Sequence, residues 1–447
     1  NSYKSNISRF VIFNQIESGN IQVKTNIYFD EENQNNFTYE VTGKVNNAKL
    51  NTLNDTFVSN INFNFDIKEQ IFNFDNINLR YDNIDFQSKK TRIIKSGKNF
   101  EVKGDLSNKK GLIKPNSFSK LTNFNLDFLE KKEISMETEN EFSFNINSNR
   151  LIKDLNLKSS LKFDELYFNK KYQDLIYLED GVIETEYSNN NLSVQILSKY
   201  SFIEDESKNV INDKNDLNLY IVKKNNENIE VKGSLSNNKK TIDPKVLFEL
   251  AKIKTDLLSD KKITVETDNK FAFQIDEKQN VKDFSINSNL KFDELYFNKK
   301  YQDLIYLEDG VIETEYSNNN LSVQILSKYS FIEDESKNVI NDKNDLNLYI
   351  VKKNNENIEV KGSLSNNKKT IDPKVLFELA KIKTDLLSDK KITVETDNKF
   401  AFQIDEKQNV KDFSINSNLK FDELYFNKKY QDLIYLEDGV IETEYSN

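Results

Sequence analysis

Apolar and polar side chains alternate along much of this chain, and a period of two residues is typical of β-strands with one apolar face. The stretch 192–202 is the clearest example. Its even positions are apolar except for Ser198, and its odd positions are polar except for Leu197. The pattern predicts a strand whose even-numbered side chains share one apolar face.

Similar stretches on both sides of this strand predict a mainly antiparallel sheet. Residues 183–187 alternate in the same way, and the asparagines at 189–191 are typical of a turn between the two strands. The pair Asp180-Gly181 is also typical of a turn. Further alternating stretches occur at 217–221, 229–235, 263–275 and 284–292.

One segment has the spacing of a helix instead of a strand. Asp243-Pro244 supplies an N-cap followed by proline at the first helical position. Apolar side chains then recur at helical spacing until about residue 258, namely Val246, Leu250, Ile253 and Leu257. We expect one short amphipathic helix per repeat that plugs or caps the sheet. A membrane-surface helix would carry a more basic face than one with Asp243, Glu249, Asp256 and Asp260.

The chain repeats itself over most of its length. Residues 161–289 and 290–418 are identical, and 290 − 161 gives a period of 129 residues. A degenerate copy precedes them at the same spacing, since FEVKG at 100–104 aligns with IEVKG at 229–233. The perfect identity is compatible with a recent tandem duplication and with an artefact of sequence assembly. The degenerate copy indicates that repetition itself is old.

The period divides the chain into repeat units. In repeat proteins each unit mainly contacts the units next to it. The start at Asn1 and the end at Asn447 inside a repeat lead us to expect a piece of a longer protein. The segments are a divergent β-rich stretch at 1–99, the end of a degenerate first repeat at 100–160, the two identical repeats 161–289 and 290–418, and a truncated repeat at 419–447.

Composition argues against most kinds of site chemistry. The chain has no cysteine and no histidine, which excludes the usual zinc sites, thiol nucleophiles, Ser-His triads and disulfides. A net charge of -10 argues against a nucleic-acid partner. No EF-hand loop and no glycine-rich phosphate loop is present. We therefore predict a non-enzymatic protein with no catalytic residues, no metal and no cofactor.

The predicted functional feature is the apolar face of the sheet, which needs cover. A second sheet supplies that cover in a sandwich or barrel, whereas acyl chains supply it in an open groove, and periodicity does not separate the two. The residues expected to line the groove are Leu192, Val194, Ile196, Tyr200, Phe202, Leu217, Leu219, Ile221, Ile229, Val231, Phe271, Phe273, Ile275, Phe284, Ile286 and Phe292.

Several phrases in the chain resemble the AsmA-like proteins of Gram-negative bacteria, especially the YhdP and TamB branch. They are IEVKGSL at 229–235 and FSINSNLKFD at 284–293, with the same cadence in INFNFD at 61–66 and NINLRYD at 76–82. The resemblance lies in the pattern of residue types over most of the chain and not in a diagnostic motif. Abundant residues with AT-rich codons indicate an AT-rich genome, and the resemblance implies an alphaproteobacterial version of the family.

The resemblance implies an elongated, U-shaped β-groove that crosses the periplasm and carries phospholipid between the inner and outer membranes. It also implies phospholipid acyl chains as partners and an inner-membrane anchor outside this piece. Two features depart from the family: the N-terminal anchor and C-terminal segment are not in this piece, and there are only 10 glycines. Repetition would then lengthen the conduit.

A second hypothesis is a surface or secreted repeat protein, an adhesin-like stalk built of closed β-domains. Identical repeats, acidic charge and the absence of catalytic motifs fit it as well. The two hypotheses differ in the fate of the even-numbered row from Leu192 to Phe202. A conduit leaves those side chains on an open apolar channel, whereas a stalk encloses them within each unit.

Overall fold

The elements that the computed structural model describes are β-strands, and among the described residues Pro115 alone is helical. The chain divides into two compact units, the first comprising Asn1–Gly233 with Ile275–Asn280 and the second Ser234–Gln274 with Val281–Asn447. The described residues are 16–29, 37–51, 57–81, 84–115, 129, 133–149, 151–168, 176–202, 215–242, 261–278, 280–296, 305–331, 344–354, 356–371, 390–405, 407, 409–426 and 435–446.

The first eleven strands lie in the first unit. They are β1 (Ile16–Phe29), β2 (Phe37–Asn51), β3 (Phe57–Lys68), β4 (Ile71–Tyr81), β5 (Ile84–Ser96), β6 (Asn99–Ile113), β7 (Ile134–Ile146), β8 (Ile152–Tyr167), β9 (Ile176–Ser188), β10 (Asn191–Phe202) and β11 (Asn215–Lys223). From β1 to β10, each strand pairs antiparallel with the next.

The remaining strands follow the same pattern. They are β12 (Ile229–Ile242), β13 (Ile263–Ile275), β14 (Val281–Tyr296), β15 (Ile305–Ser317), β16 (Asn320–Phe331), β17 (Asn344–Lys352), β18 (Ile358–Ile371), β19 (Ile392–Ile404), β20 (Val410–Tyr425) and β21 (Tyr435–Ser446). From β14 to β21, each strand of the second unit again pairs antiparallel with the next.

Each unit is a single layer as far as the structure describes it. Within a unit, extensive backbone contacts between described strands join only neighbours in sequence. The prediction of a mainly antiparallel all-β repeat protein is therefore confirmed. The helix predicted from Asp243 to about residue 258 lies outside the described residues.

The period of the sequence corresponds to six strands, since β14 repeats β8 in sequence and length. The pairing register repeats as well. Phe163 of β8 lies opposite Gly181 of β9, and Phe292 of β14 lies opposite Gly310 of β15. Identical sequence thus produces identical strand pairing in the two units, as expected when register is set by the side-chain pattern and the turns.

The predicted asparagine turn is confirmed at its first two positions. Asn189 and Asn190 connect β9 to β10 and have φ angles of 51° and 62°. Asn318 and Asn319 connect β15 to β16 with φ angles of 49° and 62°. Positive φ at both loop residues is the requirement of a type I′ turn, which asparagine tolerates better than most residues.

The prediction of a turn at Asp180-Gly181 is wrong, because both residues lie inside β9. They lie together opposite Ser198 of β10, where the register shifts between Leu197 and Lys199. Two residues facing one make a β-bulge, and Asp180 has the left-handed φ of 48° that such an irregularity accommodates. Asp-Gly suits a bulge as well as a turn, so the dipeptide alone does not distinguish them.

Phenylalanine rings lie against glycines of the neighbouring strand at recurring positions. The directly opposed pairs are Gly43–Phe65, Gly104–Phe142, Phe163–Gly181, Phe292–Gly310, Gly362–Phe400 and Phe421–Gly439. A Cβ added at Gly181 would lie 1.9 Å from the Cζ atom of Phe163. These glycines therefore leave room for the rings, which cover the backbone that a glycine exposes.

We expect Gly181→Ala to destabilise the β8–β9 pair by about 1–3 kcal/mol, because the added methyl group forces the Phe163 ring out of its position. Amide hydrogen exchange in the peptides of these two strands, followed by mass spectrometry, would report the change as faster exchange. The altered peptide is heavier by one methylene group, which separates it from the identical sequences at 290–318 and 419–447.

The matched control is Gly111→Ala in β6, where an added Cβ would meet no atom closer than 3.6 Å. Its exchange rates should stay close to those of the unaltered chain. Equal exchange in the two variants would contradict the packing role of the Gly–Phe pairs.

Candidate functional site

The predicted stripe forms a continuous apolar surface on β10 and β11. Val194 lies opposite Ile221 and Ile196 lies opposite Leu219, so these four side chains share one face of the sheet. All four are half-buried. Among the described residues no second sheet covers them, and their partial exposure follows from that single layer.

The ends of the same stripe differ from its middle. Leu192 is half-buried opposite Lys223, and half-buried Leu217 lies opposite Ser198. Tyr200 is almost fully buried, with 3% of its surface exposed. The side chain of Phe202 lies outside the described part of the chain.

Burial changes the acidity of the tyrosine at the end of the stripe. It raises the pKa of Tyr200 to about 12, and the nearby Asp216 carboxylate acts in the same direction. The repeat reproduces this environment, since burial and Asp345 raise the pKa of Tyr329 to about 12. Both effects disfavour a phenolate anion.

The predicted residues of β12 to β14 lie in several environments. Val231 is buried, and Ile229, Ile275 and Ile286 are half-buried. In the second unit the rings of Phe271, Phe273, Phe284 and Tyr316 form an aromatic row with successive centroid distances of 6.2, 6.4 and 5.8 Å. Phe284 in this row is exposed to 40%. Sequence reasoning missed Tyr316, although its alternation with Thr314 was a usable signal.

Phe292 belongs to the best-packed apolar cluster of the second unit. It is buried with Ile263, Val265, Leu307 and Tyr329, and half-buried side chains from β14, β15, β17 and β18 pack against them. The cluster therefore involves the six consecutive strands β13 to β18. Burial of a large apolar side chain contributes roughly 1.5–3 kcal/mol, so the cluster stabilises the unit.

The opposite face carries exposed ion pairs. Lys158 lies 3.3 Å from Glu186, Lys239 lies 2.7 Å from Asp293, and Lys291 lies 3.0 Å from Glu266. Exposed pairs of this kind contribute only about 0–1 kcal/mol each. Their effect is to keep that face solvated, which leaves the apolar face as the candidate functional surface.

A cavity of about 450 Å³ opens on the apolar face of the first unit. This volume lies within the usual range for small-molecule sites, about 300–1,000 Å³. We call it the apolar cavity. Side chains from β5 to β8 line it, namely Ile84, Phe86, Leu106, Asn108, Ile113, Met136, Thr138, Asn140, Phe142, Phe144, Leu155, Leu157, Ser159 and Leu161.

Most of the lining of the apolar cavity comes from the degenerate repeat at 100–160, where the sequence analysis predicted no site residues. The signal was nevertheless present, because Leu155, Leu157 and Leu161 alternate along β8. The lining includes no charged side chain.

Four polar side chains cross this otherwise apolar surface as a hydrogen-bonded row. We call Asn108, Thr138, Asn140 and Ser159 the polar seam. Ser159 donates its hydroxyl hydrogen to Asn140 Oδ1 at 2.6 Å, Asn140 Nδ2 donates to Thr138 Oγ1 at 3.1 Å, and Thr138 donates to Asn108 Oδ1 at 2.5 Å. The seam therefore links strands β6, β7 and β8 through their side chains as well as their backbones.

The seam also occurs in the repeats of the second unit. The equivalent residues are Asn237, Thr267, Asn269 and Ser288, followed by Asn366, Thr396, Asn398 and Ser417. In both sets threonine donates to the first asparagine and serine donates to the second. The degenerate first repeat keeps all four residue types although much of its sequence differs.

The described residues contain no group of acidic, histidine or cysteine side chains that could hold a metal ion. No helix within that part of the chain is long and apolar enough to cross a membrane. The apolar face and its seam are therefore the features from which a function can be argued.

No protein-family model, no curated protein and no solved structure matches this chain.

We expect Asn140→Leu to destabilise the first unit by about 1–3 kcal/mol, because it leaves the Leu106 carbonyl and the Ser159 hydroxyl without their partner. Urea unfolding of the full chain, followed by circular dichroism, would detect the shift in midpoint. Asn145→Leu on the same strand is the control, because it removes only an exposed hydrogen bond, from Asn145 Nδ2 to Asp154 Oδ2, and should change stability by about 0.5 kcal/mol or less. Equal midpoints in the two variants would mean that the seam is not structural.

The raised pKa values of Tyr200 and Tyr329 predict a late-ionising class of tyrosines. Their ordinary pKa is 10.0, so their contribution to stability is complete below pH 10 and is lost as the pH rises through about 12. Absorbance titration of phenolate should show this class, and the double variant Tyr200→Phe with Tyr329→Phe should reduce it to Tyr296, whose pKa is also raised by burial and by its hydrogen bond to Glu294. Replacing the exposed Tyr220 and Tyr349 by Phe should leave the class in place.

Proposed function

We propose that this chain is part of a non-enzymatic lipid-transfer conduit, in which the apolar face of a U-shaped β-groove carries phospholipid acyl chains. The observation that carries the proposal is the apolar face itself. It extends over consecutive strands, no second sheet of described strands covers it, and it opens into a cavity of about 450 Å³.

The energetics of that face support an apolar occupant. Side chains such as Val194, Ile196, Leu219 and Ile221 are only half-buried, so part of their surface still contacts solvent. Removal of apolar surface from water contributes roughly 25 cal/mol per Å². An acyl chain laid along the row would gain this free energy at each strand that it crosses, and contiguous exposed apolar surface often marks a binding site.

The repeats support a function that depends on length more than on one site. The second unit reproduces the strand registers, the glycine–phenylalanine pairs and the polar seam of the first. A catalyst needs one copy of its site, whereas a conduit gains distance from each copy. The groove interpretation uses this repetition directly.

The partner and location follow the resemblance to AsmA-like proteins. In this proposal the occupants are phospholipid acyl chains, the compartment is the periplasm, and transfer runs between the inner and outer membranes. An inner-membrane anchor would lie outside the chain described here. The exposed ion pairs on the other face suit contact with an aqueous compartment.

The test is native mass spectrometry of the purified chain after exposure to phosphatidylethanolamine vesicles. We expect bound phospholipid, and we expect Val194→Asp and Ile196→Asp, combined with the same changes at Val323 and Ile325, to remove most of it. A buried charge without a partner is strongly unfavourable, so acyl chains would no longer cross these strands.

The pair Ile196→Asp with Ile325→Asp has a matched control with the same added charge on the other face of the same strands, Leu197→Asp with Leu326→Asp, because these leucines are exposed to 43% and 40%. Circular dichroism checks that both variants fold. A folded, lipid-free unaltered chain would exclude the conduit and favour the adhesin-like stalk.

A further inference from the structure

We propose that the polar seam makes the groove selective for aliphatic chains that carry a hydrogen-bond donor, such as a hydroxyl group, over chains whose mid-chain polar group only accepts. This inference rests on the proposed function, because it concerns which apolar chains the groove holds. It follows from a count of the donors and acceptors on the seam.

Every donor on the seam of the first unit is already used. Asn108 Nδ2 donates to the carbonyl oxygens of Lys109 and Met136, at 2.8 and 3.1 Å. Asn140 Nδ2 donates to the Leu106 carbonyl at 2.8 Å and to Thr138 Oγ1. Since an amide NH₂ has two hydrogens, both asparagines are saturated as donors.

The two hydroxyl groups are committed in the same way. A hydroxyl has one hydrogen, and that of Thr138 goes to Asn108 Oδ1 while that of Ser159 goes to Asn140 Oδ1. The capacity that remains on the seam is therefore acceptor capacity only. The lone pairs of Ser159 Oγ and the second lone pair of Asn140 Oδ1 supply it.

These acceptors lie where a ligand can reach them. Asn108 and Thr138 are buried, with 4% and 8% of their surface exposed. Asn140 and Ser159 are half-buried and line the apolar cavity. The cavity lining thus combines these half-buried acceptors with apolar side chains around them.

The same arrangement recurs in the second unit. Asn269 Nδ2 donates to the Leu235 carbonyl and to Thr267, while Ser288 donates to Asn269 Oδ1. Asn398 Nδ2 donates to the Leu364 carbonyl, and Ser417 donates to Asn398 Oδ1, whereas the described bonds of Asn398 include none to Thr396. Both amide hydrogens are therefore used at Asn140 and at Asn269, and a chain moving along the groove would meet an acceptor surface of this kind at these two copies.

The arrangement has a clear consequence for ligand chemistry. A hydroxyl or amide N–H brought to the seam can donate to Ser159 or Asn140 and regain the hydrogen bond that it loses on leaving water. A ketone, carboxylate or phosphate brings only acceptors and finds no free donor on the seam, and the cavity lining offers no cation. Such a group is desolvated there without compensation.

The experiment compares three ligands that differ only at one carbon, namely methyl stearate, methyl 12-hydroxystearate and methyl 12-oxostearate. Binding to the full chain is measured by native mass spectrometry titration in a volatile buffer. We expect the hydroxy ester to bind roughly three- to tenfold more tightly than the keto ester, as one net hydrogen bond would give.

A variant in which half of the seam is apolar tests whether the seam causes the preference for the hydroxy ester. It combines Asn140→Leu and Ser159→Ala with the same changes at Asn269, Ser288, Asn398 and Ser417. Because it removes the acceptor oxygens of Asn140 and Ser159 and their equivalents, we expect it to keep affinity for methyl stearate and to lose most of the preference for the hydroxy ester.

The ligand series alone decides the matter if this variant does not fold. Equal binding of the hydroxy and keto esters to the unaltered chain, or tighter binding of the keto ester, would overturn the inference while leaving the lipid conduit intact. Binding of none of the three esters, together with no phosphatidylethanolamine bound in the vesicle experiment, would instead overturn the proposed function.

Discussion

The backbone hydrogen bonds between consecutive strands are the constraint on which the rest of the structure depends. Within each unit, the described strands make extensive backbone contacts only with their neighbours in sequence. There is no second described layer to hold a strand that pairs poorly, so the register of each pair must be fixed locally. The type I′ turns at Asn189-Asn190 and Asn318-Asn319 fix it at one end of a hairpin. The glycine–phenylalanine pairs fix it in the body of the strands.

The polar seam also helps to fix the register of the strands. An apolar surface made only of leucine, isoleucine and phenylalanine can slip by two residues and still present apolar side chains on the same face. A row of asparagine, threonine and serine that is saturated within itself has one good register. A shift would leave donors such as Asn140 Nδ2 without acceptors in a largely apolar environment. The seam thus favours one strand register in a sheet whose register is specified only weakly by apolar packing.

Sequence periodicity predicted the all-β class, the antiparallel pairing and the asparagine hairpins, because each depends on residues close together in the chain. It was wrong at Asp180-Gly181, since a bulge and a turn both need a left-handed residue there, and only the opposite strand distinguishes them. The seam was not predicted for a related reason. Asn108 and Thr138 are 30 residues apart, and each alone is typical of a solvated position.

The sequence predicted an apolar row on one face of the sheet, but it did not predict the position of the apolar cavity. Alternation marked the row on β10 and β11, and the structure shows Val194, Ile196, Leu219 and Ile221 on one face. The apolar cavity instead involves β5 to β8, because its existence depends on which strands are neighbours and on how their side chains pack. Which apolar side chains become fully buried, such as Phe292, also depends on those neighbours and not on the local pattern.

The six-strand period has a consequence for how such a protein changes over generations. Six is an even number, so the strand that follows an added period runs in the same direction as the first strand of that period. Recombination between identical copies therefore adds or deletes a whole antiparallel block without reversing any strand downstream. An odd number of strands would invert everything that follows. Homologous exchange within such a gene would thus produce alleles of different length that all encode the same strand order. Selection against such differences in length would be weak.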